Sequence, residues 1–430
     1  MPEDRPVPSP AAVTGAPEPK ASSPRHHPLS FTQFVALVAA LMALNALAID
    51  IILPGFPDIQ RSFGLDDPNR AQTVISVYLL GFGLGQLAIG VLSDRYGRRP
   101  VLLAGIFFYG LAAVICVLAP SMTTLLIARF IQGLGSAAPR VVAVAAVRDC
   151  YGGRRMARVM SLIMMVFMAV PILAPSIGQV ILLAASWHAV FGFLALYAFV
   201  AFGLCLRFLP ETLHPEWRRP IRIPVIAEAL RSIFGSRQSV GYMLSAGAFF
   251  GALFGFINSA QQILGEVYGL GRWFPVVFVV TAGGIAVSAF INSRLVERLG
   301  MRLLSHAATL VFLVLSLAML GLEYFGLLGV GAFLPLLTLA MLLVGLVFAN
   351  FNALAMEPQQ HVAGIASSMI GAVTVLFGAG GGYIIGQAFD GTLRPLALGF
   401  VISSVATLLL LLYTERGRLC RPGEGHSAES

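Results

Sequence analysis

Lysine is almost missing from this chain. Of 28 basic residues, 27 are arginine, and Lys20 stands alone in the amino-terminal stretch. A phosphate loop of the G-x-x-x-x-G-K-[ST] type needs a lysine on the nucleotide phosphates. None is present, which disfavours ATP hydrolysis by this chain. Charge of either sign is also scarce, at 11% of residues, against about 25% in an ordinary soluble domain. The four cysteines, Cys116, Cys150, Cys205 and Cys420, have no metal-ligand spacing and give no readable disulfide framework. Zinc motifs and a G-x-S-x-G elbow are absent too. The sequence therefore predicts neither an enzyme nor a resident metal or cofactor. His188, His306 and His361 fall at segment ends or turns and are not assigned as proton carriers.

Apolar residues are abundant, at 57% of the chain. One water-soluble core could not hide that much apolar surface, so the bilayer is the expected solvent. The net charge of +8 sits in short loops between apolar segments, which argues against a nucleic-acid partner. A spanning helix needs roughly 20 mostly apolar residues. Twelve such segments are readable, at about 32–53, 71–92, 100–118, 122–147, 157–184, 187–209, 239–264, 272–292, 303–322, 330–355, 363–387 and 394–414. Residues 1–30 read as a disordered tail. No cleavable signal precedes the first segment, which is expected to stay as a membrane helix. With the amino terminus inside, 22 basic residues fall in cytoplasmic segments; only Arg61, Arg70, Arg272 and Arg394 fall outside. That bias sets the orientation, with both termini cytoplasmic.

The polar stretch 210–238, with Pro210, Pro215, Pro220 and Pro224, divides the chain. An amino-terminal bundle of six helices (31–209) and a carboxy-terminal bundle of six (239–414) flank it, and 415–430 forms a second tail. Within the linker, Ile226, Leu230, Ile233 and Phe234 recur at helical spacing and predict a short amphipathic helix on the inner membrane surface.

Between the second and third segments lies a charged turn with Gly90, Leu92, Asp94, Arg95, Gly97, Arg98 and Arg99. A fainter copy follows about two hundred residues later, with Glu297 at the place of Asp94, Gly300 at that of Gly97 and Arg302 at that of Arg99. Gly90 suits close helix approach and Gly97 a tight turn. Asp94 can pair with Arg98, or face the positive end of a helix from the other half. The turn matches G-x-L-x-D-R-x-G-R-R, and with the two-half layout the chain resembles the major facilitator superfamily. The resemblance implies an all-α membrane protein of twelve transmembrane helices in two six-helix repeats. It also implies that the turn is an inner-side latch. Asp149, at the end of the fourth segment, could join the latch.

Arg129, Gln132 and Gly133 resemble the family's R-x-x-Q-G motif. Arg129, Gly133, Ser136 and Arg140 share one helical face. A charge at membrane depth is expensive and faces the bundle interior or a water-filled cavity. Asp50, four residues before Pro54, is the candidate counter-charge. At 1.5 Å per residue, Arg129 lies about 10 Å and Asp50 about 6 Å below the outer boundary. Burial and a neighbouring guanidinium act on a carboxyl in opposite senses, so a conformational change could move a proton. The D-x-x-x-P pattern resembles the bicyclomycin- and chloramphenicol-resistance branch of the drug:proton antiporters. Pro171, Pro175 and Gly178 in the fifth segment resemble the antiporter motif. Val170, Ala174 and Gln179 replace three of its glycines. Asn45, Gln132, Ser136, Arg140, Asn258, Gln261 and Gln262 are candidate cavity residues.

The resemblance implies a monomeric, proton-coupled multidrug efflux transporter of the bacterial inner membrane. It would export small, mostly apolar compounds by alternating access and confer antibiotic resistance. An importer or facilitator of one metabolite, and a membrane sensor that no longer transports, are the alternatives.

Overall fold

The structure is a computed structural model that describes residues 29–218 and 223–420. The tail read at 1–30 and the end of that at 415–430 fall largely outside these residues. Twelve helices are long and apolar enough to cross a membrane, and no β-strand occurs among the described residues. We label them α1 (Phe31–Asp50), α2 (Thr73–Tyr96), α3 (Arg98–Val117), α4 (Met122–Cys150), α5 (Gly153–Ala184) and α6 (Trp187–Phe208). The second set is α7 (Arg237–Gln261), α8 (Phe274–Leu299), α9 (Met301–Tyr324), α10 (Val330–Met356), α11 (Ala363–Gln387) and α12 (Arg394–Thr414). The face where α1 begins and α12 ends is called the near face here, and the opposite one the far face.

Local chemistry explains the helix ends. Ser30 caps α1 in a capping box with Gln33, so two otherwise unpaired backbone donors are satisfied. Gly97 separates α2 from α3 at φ 103°, a conformation that disfavours a side chain. Beyond α1 the chain turns through Leu53–Gly55 into a short helix, Phe56–Phe63. The linker carries a helix at Ile223–Gly235, with Ala229 and Ile233 buried and Phe234 exposed.

Packing repeats between the two sets. In the first, α2 and α3 pack on α4, α1 on α5 and α3 on α6; in the second, α8 and α9 pack on α10, α7 on α11 and α9 on α12. Without a hydrophobic drive between helices in lipid, close backbone approach supplies the van der Waals contact. A Cβ on Gly133 would collide with the Tyr78 carbonyl, so α2 and α4 meet backbone to backbone. The two sets meet along α2–α11 and α5–α8.

Candidate functional site

Arg129 is fully buried, and its guanidinium is enclosed on every side by α1, α2, α4 and α6. Nε donates to the Val74 carbonyl at 3.1 Å, Nη1 to Gln132 Oε1 at 2.6 Å, and Nη2 to the Ala48 carbonyl at 2.9 Å. The Tyr78 ring lies 4.3 Å and the Phe191 ring 5.6 Å from its central carbon. Tyr78 in turn donates to Asn45 Oδ1 at 2.8 Å. Ser136 Oγ bonds back to the Gly133 carbonyl at 2.7 Å. Asn45, Gln132 and Ser136 are all buried. The structure thus gathers these expected cavity residues into one polar network inside the first bundle.

The expected meeting of Asp50 and Arg129 is not an ion pair. Asp50 is buried at 3% exposure and its Oδ1 has no hydrogen-bond partner. Arg129 instead clamps the carbonyl of Ala48, two residues earlier. The correction has a simple cause. Three neutral acceptors and two ring faces already compensate the guanidinium. Arg140 has no acidic partner either. It lies over the Phe167 ring of α5 at 4.8 Å, and its Nη1 is buried without a partner.

Helix α5 runs unbroken through Pro171 and Pro175. At Gly178 the helix touches α1 so closely that a Cβ would strike the Ile51 carbonyl, next to Asp50.

On the near face, Arg98 Nη1 donates to Asp94 Oδ1 at 2.5 Å and to Ser93 Oγ at 2.8 Å, and Nε to Asp149 Oδ2 at 3.1 Å. Glu211, beyond α6, accepts from the backbone N–H of Arg98 at 2.8 Å and of Arg99 at 3.3 Å. Its carboxylate lies where a Cβ on Gly97 would be. Arg99 reaches the Leu206 carbonyl at 2.6 Å, while Arg95 is exposed beside the Tyr96 ring. Every hydrogen bond of Asp94 stays within the first bundle. Gly90, by contrast, packs on Ser368 of α11 in the second.

The second bundle has a related cluster, but its members differ from those the repeat suggested. Arg302 Nε donates to Glu415 Oε1 at 3.1 Å, and its Nη2 lies 3.5 Å from Glu357 Oε2. Tyr242 donates to the same Glu415 oxygen at 2.6 Å and meets His306 Nε2 at 3.0 Å. Glu297 is exposed and forms no ion pair among the described residues, so the structure does not bring it into the latch. Arg302 ties α9 to the ends of α10 and α12, and the Arg98 side chain ties the end of α2 to that of α4 while its backbone N–H meets Glu211 just beyond α6. Glu357 and Glu415 were not assigned from sequence. Their position just beyond α10 and α12 was the available signal.

Asn258, Gln261 and Gln262 are buried at the far end of α7, where the two bundles meet. Asn69 and Gln72, the partners of Gln262, and Gln387, which bonds Asn69, were missed, because isolated amides form no motif. All four cysteines are free thiols. Among the described residues no group of three or more His, Cys, Asp or Glu side chains could hold a metal.

Residues 38–383 match the Major Facilitator Superfamily profile. The chain is 32% identical to the uncharacterized MFS-type transporter YdgK of Bacillus subtilis, covering 80% of this chain and 86% of the relative. It is 30% identical to the bicyclomycin resistance protein homolog of Haemophilus influenzae, over 88% and 95% of the two chains. With multidrug resistance protein D of Escherichia coli it shares 29% identity, over 78% and 84%. The solved xylose transporter XylE of E. coli superposes with a TM-score of 0.67 at 14% identity, over 89% of this chain and 97% of that one. The human organic anion transporter MFSD10 gives 0.61 at 18% identity, over 89% and 98%. These two likenesses speak to fold alone. This is a multi-pass membrane protein of the transporter class, and it belongs to the Major Facilitator Superfamily.

Proposed function

We propose that the protein is a proton-coupled exporter of small, mostly apolar compounds, a multidrug efflux transporter of the bacterial inner membrane. Similarity to drug-resistance proteins along most of the chain supports the export reading. The two bundles, 31–209 and 239–414, act as the moving units of one monomer, with the near face cytoplasmic. The concentration of arginine in near-face segments supports that orientation.

The observation that carries proton coupling is the solitary Asp50 carboxyl. It is buried, one oxygen is unpaired, and Arg129 is fully engaged elsewhere. An acid so placed changes protonation when a conformational change alters its access to water. Gly178 brings α5 against α1 at the adjoining residue, so movement of α5 is transmitted to Asp50. Arg140, above the Phe167 ring, offers a free donor to an acceptor group on substrate. In this reading the Arg98 cluster is the conformational latch.

Everted membrane vesicles test the proposal. Dye should accumulate inside them when a proton gradient is imposed, and collapse of the gradient should release it. Uptake that merely equilibrates, with or without a gradient, would reject coupled export.

A further inference from the structure

Among the described residues, six hydrogen bonds join the two bundles, and all lie at the far face. Asn69 Nδ2 donates to the Gln387 carbonyl at 3.3 Å and to the Phe389 carbonyl at 2.8 Å. Gln387 Nε2 returns a bond to the Asn69 carbonyl at 2.7 Å. Gln262 Nε2 donates to Asn69 Oδ1 at 2.8 Å, and Gln262 Oε1 accepts from Gln72. Asn258 Nδ2 reaches Ser76 Oγ at 3.4 Å. Among the described residues no ion pair crosses between the bundles.

Two features of the chain build this arrangement. Gln262 opens a π-helical turn, Gln262–Val267, at the end of α7. Such turns commonly mark functional positions in helices. Gly386 on α11 leaves room for the Gln72 side chain, which a Cβ there would displace. Asn69, Gln72 and Gln262 are buried and Gln387 is half-buried, and all four are neutral amides, so the contact contains no group that ionises near neutral pH.

We propose that Asn69, Gln72, Gln262 and Gln387 form a charge-free clasp that closes the far face and sets how readily it opens. The proposal rests on the alternating-access reading. It assigns these amides as positioning residues, acting through the distance between the bundles. Because none of the four titrates, proton binding opens this face only indirectly, through Asp50 and the bundle interior. Gln262 is the link between Asn69 and Gln72, since its one amide serves both.

The test uses the full chain in lipid nanodiscs, with its four cysteines replaced and spin labels at Asp66 and Arg272 reporting the far face. A second pair at Arg154 and Arg298 reports the near face. Gln262→Ala removes two bonds, each modest in net worth. It should lower the closed-to-open ratio of the far face roughly tenfold, as about 1.4 kcal/mol does. Gln262→Glu guards against simple misfolding. Its protonated acid can still donate to Asn69 and accept from Gln72, whereas its carboxylate can only accept. The far face of this variant should therefore be closed at pH 5 and open at pH 8, a pH dependence beyond any in the parent. A far face that stays as closed as the parent's in both variants overturns the clasp. The near-face pair reports separately: far-face opening without near-face closure supports the clasp and rejects alternating access.

Discussion

The two bundles share a scaffold and differ in what they bury. In the first, Asp50 and Arg129 are buried, and Arg140 is half-buried with its Nη1 buried and unpartnered. In the second, no Asp, Glu, Lys or Arg is buried among the described residues, and the interior is furnished with amides and hydroxyls such as Asn258, Ser259, Thr281, Ser288 and Asn350. At the near face the bundles are alike again, each with an arginine reaching the ends of two neighbouring helices. Duplication thus preserved the hardware that ties helix ends, while the interiors diverged. A buried charge costs several kcal/mol unless compensated, so the first bundle spends binding groups that the second keeps free. Under the proposed function, that asymmetry puts proton coupling in the first bundle and leaves the second neutral contact with substrate and with the clasp.

The comparison breaks most completely at Asp50. Asp50→Asn keeps shape and removes the only buried acid among the described residues. Gradient-driven transport should fall to background in vesicles while the protein level in membranes is unchanged. Export at the parental rate with parental pH dependence would return the coupling role to some other group. Arg129 should show the next largest effect, and on stability as well as transport. Arg129→Ala strands the carbonyls of Val74 and Ala48 and the Gln132 amide, each a buried acceptor costing about 1–3 kcal/mol when unpaired. Arg129→Lys retains the charge but cannot serve three directions from a planar fork, so it should be intermediate. Thermal unfolding in detergent checks the order: parent above Lys above Ala. An Ala variant as stable as the parent would mean the network inside the first bundle holds nothing together.

How far these contrasts can be read from sequence follows from their physics. All twelve spans are legible because a continuous apolar run of membrane length has few other uses. The Arg98–Asp94 pair is legible because it is an i,i+4 contact on one helical path, and the linker helix because its apolar residues keep helical spacing. Arg129 stood out as an expensive charge, yet two of its three hydrogen-bond acceptors are backbone carbonyls, which no side-chain pattern encodes. Asp50 and Arg129 matched in depth, but depth along two helices does not fix the direction in which side chains point. The clasp was hidden for another reason. Asn69, Gln262 and Gln387 are separated by more than a hundred residues, and neutral amides are common at helix ends. Only the docking of two bundles makes them a unit.

Smaller effects rank the near-face charges. Asp149 is 15% exposed and shared between Arg98 and Thr212, whereas Asp94 is 37% exposed. Exposed ion pairs are worth about 0–1 kcal/mol and buried ones lose more when broken. Asp149→Asn should therefore slow turnover more than Asp94→Asn, with substrate still bound by both. Equal rates for the two variants would show that burial does not govern the latch.

The smallest effect is expected where the two bundles look most alike in sequence. Glu297 stands at the place of Asp94, but it is exposed, and Met301 follows where the first turn has Arg98. With no cation to hold, Glu297 contributes only a solvated charge, whose removal costs little. Arg302 is the group that joins α9 to the ends of α10 and α12. Its neutralisation leaves Glu357 and Glu415 without the cation they share, while Tyr242 keeps its bonds to Glu415 and His306. Glu297→Gln should transport at the parental rate, and Arg302→Gln should be slowed as Asp149→Asn is. Measuring the two side by side in the same vesicles distinguishes repeat by sequence from repeat by structure. A slowed Glu297→Gln beside a normal Arg302→Gln would mean that the second latch follows the aligned letters rather than the folded contacts.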